Sequence, residues 1–201
     1  LRHLCCSEVS ISPLFRWPNL LNHYNIATYV STDERYNVTR ALLLFVILTA
    51  SRSGEARAMR WGEIDFKQRV WTIPAERMKA GMQHRVPLSD QAMSLLHSLK
   101  GLHDELVFPS PRKQVVLSDM VLTTFLRRTK APSDNPNRVA TAHGFRSTFR
   151  DWCSEHGYSR DLAERALAHT VKNKVEAAYH RTDLLEQRRP MMQAWADYLL
   201  P

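Results

Sequence analysis

The chain has 201 residues, of which 44% are hydrophobic, and 28 lysines and arginines outnumber 20 aspartates and glutamates to give a formal net charge of +8. This composition suits one folded domain whose partner is polyanionic, either nucleic acid or an anionic membrane surface. The longest apolar run, 41–50, falls well short of the roughly 20 residues that a transmembrane helix needs, which argues against a membrane protein.

The cysteines and acidic residues predict neither a disulfide framework nor a metal site. Cys5 and Cys6 are adjacent and Cys153 is distant, so no Cys-x-x-Cys pair occurs, and no His-Glu-x-x-His motif or acidic cluster is present. We therefore expect a reducing compartment and no metal. The first residues are too polar for a secretory signal and lack an initiator methionine, so we expect the chain to be part of a longer protein.

The first half of the chain divides into an irregular start and two helices. Residues 1–35 contain two prolines and no sustained periodicity, which predicts an extension or linker. From residue 36 onwards, apolar residues at helical spacing predict a buried helix that ends at Ser51. A second helix, capped by Ser53 and with Glu55 in its first turn, should run toward Trp61.

Short β-like runs and further helices follow. The strands are expected at 70–73 and 85–88, with 106–108 as a possible third, and they would form a small antiparallel sheet. Helical patterns then occur at 90–99, 118–129, 143–155, 161–168, 174–179 and 190–200. The predicted fold is mainly α with a small three-stranded antiparallel sheet.

Several basic residues occupy helix junctions, where anions bind well. Arg52 lies between the first two predicted helices, so it could hold a phosphate bidentately, or it could pair with Glu55, and both can be true. His143 and Arg146 lie three residues apart and share one face of a helix, which is either a basic site or an ordinary amphipathic surface. His169 lies at another junction and is either a structural residue or a site residue.

Two more residues complete a chemical set. Lys79 projects from a polar turn between strands, where most lysines are simply solvated, and Tyr179 could be a packing residue. Breaking a phosphodiester without a metal requires a nucleophile, positive donors around the non-bridging oxygens and a proton source for the leaving oxygen. The sequence offers all three when these residues are taken together.

The motifs also occur in a recognisable order. They are TASRSGE at 49–55, Lys79, HGFR at 143–146, LAHT at 167–170 and Tyr179. In this order they resemble the catalytic domain of tyrosine recombinases, and the stretches at 71–79, 84–88 and 176–179 resemble integrases of satellite phages and genomic islands. The resemblance covers 36–201 and implies the tyrosine recombinase (DNA breaking-rejoining enzyme) catalytic fold, as the C-terminal part of a longer integrase.

The resemblance implies the chemistry of the nucleophile and of the groups around the phosphate. Tyr179 would attack the scissile phosphate, leaving the enzyme on a 3′-phosphate and freeing a 5′-hydroxyl. Arg52, Arg146 and His169 would bind the non-bridging oxygens. No cofactor is implied, because the phosphotyrosine bond conserves the energy needed for rejoining.

Three other residues would assist. The resemblance implies that His143 helps proton transfer, that Lys79 protonates the leaving 5′-oxygen, and that Glu55 orients Arg52. One departure is Ala168, where the commoner family pattern has glycine; it should be tolerated if its φ is negative. The N-terminal DNA-binding domains of such integrases are not recognisable in 1–35.

The expected partner is double-stranded DNA, which would place the protein in the cytoplasm at the nucleoid. Arg127, Arg128 and Lys130, at a helix end, are expected to contact the DNA backbone. The C-terminal segment carries an apolar stripe that either packs in its own core or docks on a neighbouring protomer. The resemblance implies that this segment is exchanged within a homotetramer on DNA.

Two alternative functions stay open. A type IB topoisomerase uses a similar arrangement to relax supercoils with one protomer. A DNA-binding module whose catalytic site is idle is the second.

Overall fold

The structure, a computed structural model, describes residues 34–133, 137–169 and 182–200. Its centre is helix α1, Glu34–Thr49, and every residue from 41 to 50 is buried. Other helices surround α1, which explains why 41–48 are apolar on every face of the helix. The helix ends two residues earlier than predicted, and the Thr49 hydroxyl lies 2.6 Å from the Phe45 carbonyl and 2.9 Å from the Ser51 hydroxyl.

The second helix, α2, spans only Ser53–Arg57. The prediction that Ser53 caps it was wrong, because Ser53 is already the first helical residue and Arg52 occupies the cap position. The backbone N–H of Arg52 donates to the Glu55 carboxylate, 2.9 Å away. Glu55 therefore lies in the first turn, as predicted, but the helix stops before Trp61.

The sheet is antiparallel and three-stranded, in the order β1 (Ile64–Asp65), β2 (Val70–Ile73) and β3 (His84–Pro87). Two strands match the prediction to within one residue. The third strand is 64–65, so the prediction of a third strand at 106–108 was wrong. That stretch makes a single β-bridge through Leu106 and uses buried side chains to fill the core.

The remaining helices are α3 (Asp90–Leu99), α4 (Val121–Arg128), α5 (Ala142–Glu155), α6 (Arg160–Ala166) and α7 (Leu185–Leu199). Side chains of Ser89, Thr141 and Ser159 cap α3, α5 and α6 by accepting a hydrogen bond from a backbone N–H three residues later. The prediction of a helix at 174–179 lies outside the described residues. Helix α7 begins five residues before the predicted start, with Pro190 inside it.

Helix α7 packs into the chain's own core. Met191, Trp195 and Leu199 are buried, and the indole N–H of Trp195 donates to the Ile47 carbonyl of α1 at 2.9 Å. Tyr198, the remaining member of the apolar stripe, is 42% exposed. Of the two alternatives for this stripe, the structure shows the intramolecular one.

Candidate functional site

Two helix ends and one helix face meet at the site. Arg146, on α5, donates from Nη1 to the carbonyl of Ala50, just after α1, and from Nη2 to the carbonyl of Leu167 at 2.6 Å, just after α6. Arg52 donates from Nη2 to the carbonyl of Ala168 at 3.3 Å. Three segments far apart in sequence thus hold two guanidinium groups side by side.

Both helix ends turn through an alanine in the left-handed region. Ala50 and Ala168 each have φ of 49°. At the end of α6, the N–H of Ala168 bonds the Arg165 carbonyl at 3.1 Å and the N–H of His169 bonds the Glu164 carbonyl at 3.0 Å, which is a Schellman arrangement. The negative φ under which an alanine at 168 would be tolerated without strain is therefore not found. The turn aims terminal carbonyls, the negative ends of helix dipoles, at the arginines.

Arg146 is only 4% exposed. Its burial, followed by the positive charge of Arg52, lowers its pKa to about 10, and the Glu55 carboxylate partly opposes this. The guanidinium therefore stays protonated at neutral pH. Because the two cations repel each other, an anion placed between them would be stabilised.

Arg52 and Glu55 form a close ion pair. Nη1 of Arg52 lies 2.7 Å from Oε1 of Glu55, and the carboxylate is almost fully buried while the arginine side chain is 30% exposed. Glu55 thus fixes the arginine through both its backbone and its side chain. The pairing and the anion-binding role expected of Arg52 are compatible, since part of its guanidinium still faces solvent.

His169 is oriented by a carboxylate. Its Nδ1 lies 2.5 Å from Oε2 of Glu164, and its Nε2 lies 3.4 Å from Nη2 of Arg146. Burial alone would raise the pKa of Glu164, but hydrogen bonding to His169, its charge and the neighbouring Arg150 outweigh that effect and lower it. These partners assign the N–H to Nδ1 and leave Nε2 facing Arg146.

Three of the expected site residues are not part of this network. His143 is exposed at the start of α5, three residues before Arg146, and Lys79 is exposed in the turn that precedes β3. Neither forms a hydrogen bond or ion pair with Arg52 or Arg146 among the described residues. Tyr179, the expected nucleophile, lies outside the described residues.

The residues expected to grip DNA lie together at the end of α4. Arg127 and Arg128 occupy its last turn, and Lys130 follows with φ of 49°; all three are exposed. Their exposure does not test whether they contact DNA, so that contact stays a prediction.

Sequence reasoning missed two titratable residues beside the site. Glu164 carried no signal, because its distance of five residues from His169 becomes meaningful only in the turn that ends α6. His84, on β3, is mostly buried, and burial and then the positive charge of Arg188 lower its pKa to about 4; the Ala166 carbonyl, Asp183 and Arg146 also act on it.

The sequence matches the model of the phage integrase family over residues 19–185. The chain belongs to this family. It is 43% identical to the prophage integrase IntA of Escherichia coli K12 over 162 residues, which are 79% of this chain and 38% of that protein. It is 40% identical to the integrase of Enterobacteria phage P4 over 179 residues, 81% of this chain and 40% of that protein. The chain thus spans about two fifths of these relatives.

Solved tyrosine recombinase structures share the fold of this integrase family member. The lambda integrase catalytic core matches with a TM-score of 0.53 and 22% identity, covering 74% of this chain and 90% of that one. A lambda integrase dimer bound to a COC′ core site gives 0.54 and 21%, covering 82% and 58%. The predicted fold class and the family resemblance are confirmed.

Nowhere in the described ranges do three or more histidine, cysteine, aspartate or glutamate side chains gather closely enough to hold a metal ion. The helices of these ranges are also too short or too polar to cross a membrane.

Proposed function

We propose that residues 36–201 are the catalytic domain of a site-specific DNA recombinase that cuts and rejoins DNA through a 3′-phosphotyrosyl bond on Tyr179, with 1–35 as an extension or linker. One observation carries this proposal. Arg52 and Arg146 are held side by side on helix-end carbonyls, with the Nε2 of His169 beside them. That arrangement suits an anion with two non-bridging oxygens.

The three groups supply electrostatic catalysis. In the transition state the phosphorus carries five oxygens, and charge accumulates on the two non-bridging ones. Arg146 is fixed by two carbonyls and Arg52 by Glu55, so neither group must reorganise as that charge develops. His169, held by Glu164, donates from Nε2 when that nitrogen carries a proton.

Two residues transfer protons. The phenol oxygen of Tyr179 bonds to phosphorus, and the bond from phosphorus to the 5′-oxygen breaks. Lys79 gives a proton to that leaving oxygen, and His143 assists removal of the phenol proton. A phenol with a usual pKa near 10 is a weak nucleophile at neutral pH, and cations that bind the scissile phosphate would favour its ionised form. Attack by a 5′-hydroxyl on the phosphotyrosine reverses the step without a cofactor.

The proposed partner is double-stranded DNA, on which the protein assembles as a homotetramer. Support comes from the net charge of +8 and from fold neighbours, one of which is a lambda integrase tetramer bound to a Holliday junction. Exchange of the C-terminal segment between protomers would require α7 to leave the core position it occupies here. Arg127, Arg128 and Lys130 are the proposed backbone contacts.

The test is a nicked suicide duplex, whose short 5′ fragment diffuses away after cleavage and traps the adduct. Wild type should give a protein–DNA complex that survives a denaturing gel, and Tyr179→Phe should give none. Tyr198→Phe is the matched control, because Tyr198 is an exposed tyrosine on α7 whose ring packs against Trp152 and Trp195. An adduct retained by Tyr179→Phe would refute the nucleophile.

A type IB topoisomerase is not favoured, since the family match is to integrases. Strand exchange between two duplex sites separates the activities. Plasmid relaxation without joint products would contradict recombination.

A further inference from the structure

Three arginines from three elements converge on the residues just before α7. Nε and Nη2 of Arg85, on β3, each lie 2.8 Å from one oxygen of Asp183. Arg188, on α7, approaches the same carboxylate at 3.4 Å, and Arg165, on α6, donates to the carbonyl of Thr182. We call this group, Arg85, Arg165 and Arg188 around Thr182 and Asp183, the clasp.

The clasp contains a buried cation. Arg188 is 1% exposed, and among the described residues its Nε and Nη2 have no hydrogen-bond partner. Burial lowers its pKa to about 10, and Asp183 is the charge that opposes this shift. An apolar side chain would usually fill such a position at no loss of stability. A buried arginine beside Asp183 instead favours one position of that carboxylate.

The clasp lies a short way along the chain from the proposed nucleophile. Thr182 and Asp183 follow Tyr179 by three and four residues. Four residues span at most about 14 Å even when fully extended, so a fixed Asp183 confines the tyrosine to that radius. The elements that supply the arginines also serve the site, because β3 follows the turn with Lys79 and α6 leads into His169.

We infer that the clasp is a positioning device. In it, the pairing of Arg85 with Asp183 fixes where the chain that follows Tyr179 is anchored relative to the arginines that bind the phosphate. This rests on the proposed function. Asp183 and Arg85 are positioning residues and touch no reacting atom. A misplacement of about 1 Å can reduce a reaction rate by roughly 100-fold, so a device that sets this register would control the rate of cleavage.

The experiment is a double-mutant cycle with Arg85→Met, Asp183→Asn and the combination. Single-turnover cleavage of the suicide duplex at saturating DNA, DNA affinity and the thermal midpoint are measured for each. We expect each single variant to cleave about 10- to 100-fold more slowly than wild type. DNA affinity should stay within about threefold of wild type, and the double variant should be little slower than either single one. Arg85→Lys, which keeps the charge but not the fork, should recover only part of the rate.

The matched control is Glu186→Gln, which removes the neighbouring exposed ion pair with Arg189 on α7. It should cleave at the wild-type rate. Cleavage by Asp183→Asn within twofold of wild type would overturn the clasp alone, as would a lower thermal midpoint with an unchanged rate or an equal loss in Glu186→Gln. Failure of the wild type itself to form an adduct would overturn the proposed function and the clasp with it.

Discussion

At the scale of residues, the candidate site is built from charged side chains whose orientation depends on partners that carry no reactive group. Arg146 is held by two backbone carbonyls and His169 by the Glu164 carboxylate. Such partners do not have to move during the reaction, because they are fixed before the substrate binds. Their removal should therefore reduce the rate more than it reduces binding.

Glu164→Gln tests this directly. The amide keeps the shape but loses the charge that accepts from Nδ1 of His169, and hydrogen bonds to charged groups contribute about 1.5–3 kcal/mol. We expect single-turnover cleavage to fall by roughly 10- to 100-fold with little change in DNA affinity. Glu105→Gln, which disrupts an exposed pair with Arg60, is the control. Equal rates for Glu164→Gln and wild type would show that His169 needs no orienting carboxylate.

His84 predicts a pH dependence of folding stability. Its folded pKa of about 4 lies below the usual 6.5, so between these values the unfolded chain binds more protons than the folded one. Its contribution is complete above pH 6.5 and is lost as the pH falls toward 4, by at most about 3 kcal/mol. Glu164 and Asp183, whose pKa values are lowered, lose theirs at more acid pH.

Urea unfolding of His84→Gln across this range is the measurement. The variant should show a flatter dependence between pH 6.5 and 4, while His97→Gln, an exposed histidine on α3, should keep the wild-type slope. A wild-type slope in His84→Gln would assign the effect to another group.

At the scale of elements, the ends of helices decide the geometry of the site. The Schellman turn after α6 presents the carbonyls of Leu167 and Ala168 to two arginines, and it requires a left-handed residue at Ala168. An L-residue with a side chain is strained there, whereas glycine is not. The strained alanine therefore lowers the stability of the fold, and the hydrogen bonds from the two arginines to the carbonyls of this turn compensate for that loss.

Ala168→Gly should accordingly raise the free energy of unfolding by about 1 kcal/mol, as measured by urea denaturation. Ala163→Gly, in the middle of the same helix, should lower it by about 1 kcal/mol or more, because glycine is a poor helix residue and a buried methyl group is removed. Changes of the same sign in both variants would contradict the assignment of strain to Ala168.

The sequence predicted elements that have a clear local pattern better than elements that have none. Helices such as α5 have sustained periodicity and side-chain caps, so their limits were predicted closely. The strand at 64–65 is too short to show alternation, and 106–108 showed an apolar run that serves the core without joining the sheet. A local pattern cannot distinguish these cases, because pairing is a long-range property.

For the site, the sequence predicted the charged side chains but not the groups that hold them. The order of motifs identified Arg52, Arg146 and His169, which the structure brings together. It could not identify the Ala50 and Leu167 carbonyls, since every residue carries one. Nor could it single out Asp183, whose partner Arg85 is 98 residues away in sequence.

At the scale of the whole molecule, the net charge of +8 predicts that the proposed binding to DNA weakens with salt. A variant that no longer binds one of the phosphates should reduce the slope of log affinity against log salt by about 0.9. We expect Arg127→Gln, at the exposed end of α4, to show that reduction. Arg60→Gln should not, because Arg60 is paired with Glu105. Equal salt-dependence slopes for the two variants would show that the DNA does not contact the end of α4.

The proposed mechanism depends above all on the atom that joins the protein to DNA. The most direct measurement is mass spectrometry of the trapped adduct after nuclease trimming and proteolysis. We predict a peptide that carries a nucleotide on Tyr179, linked through its 3′-phosphate. A nucleotide attached to any other residue, or through a 5′-phosphate, would contradict the mechanism.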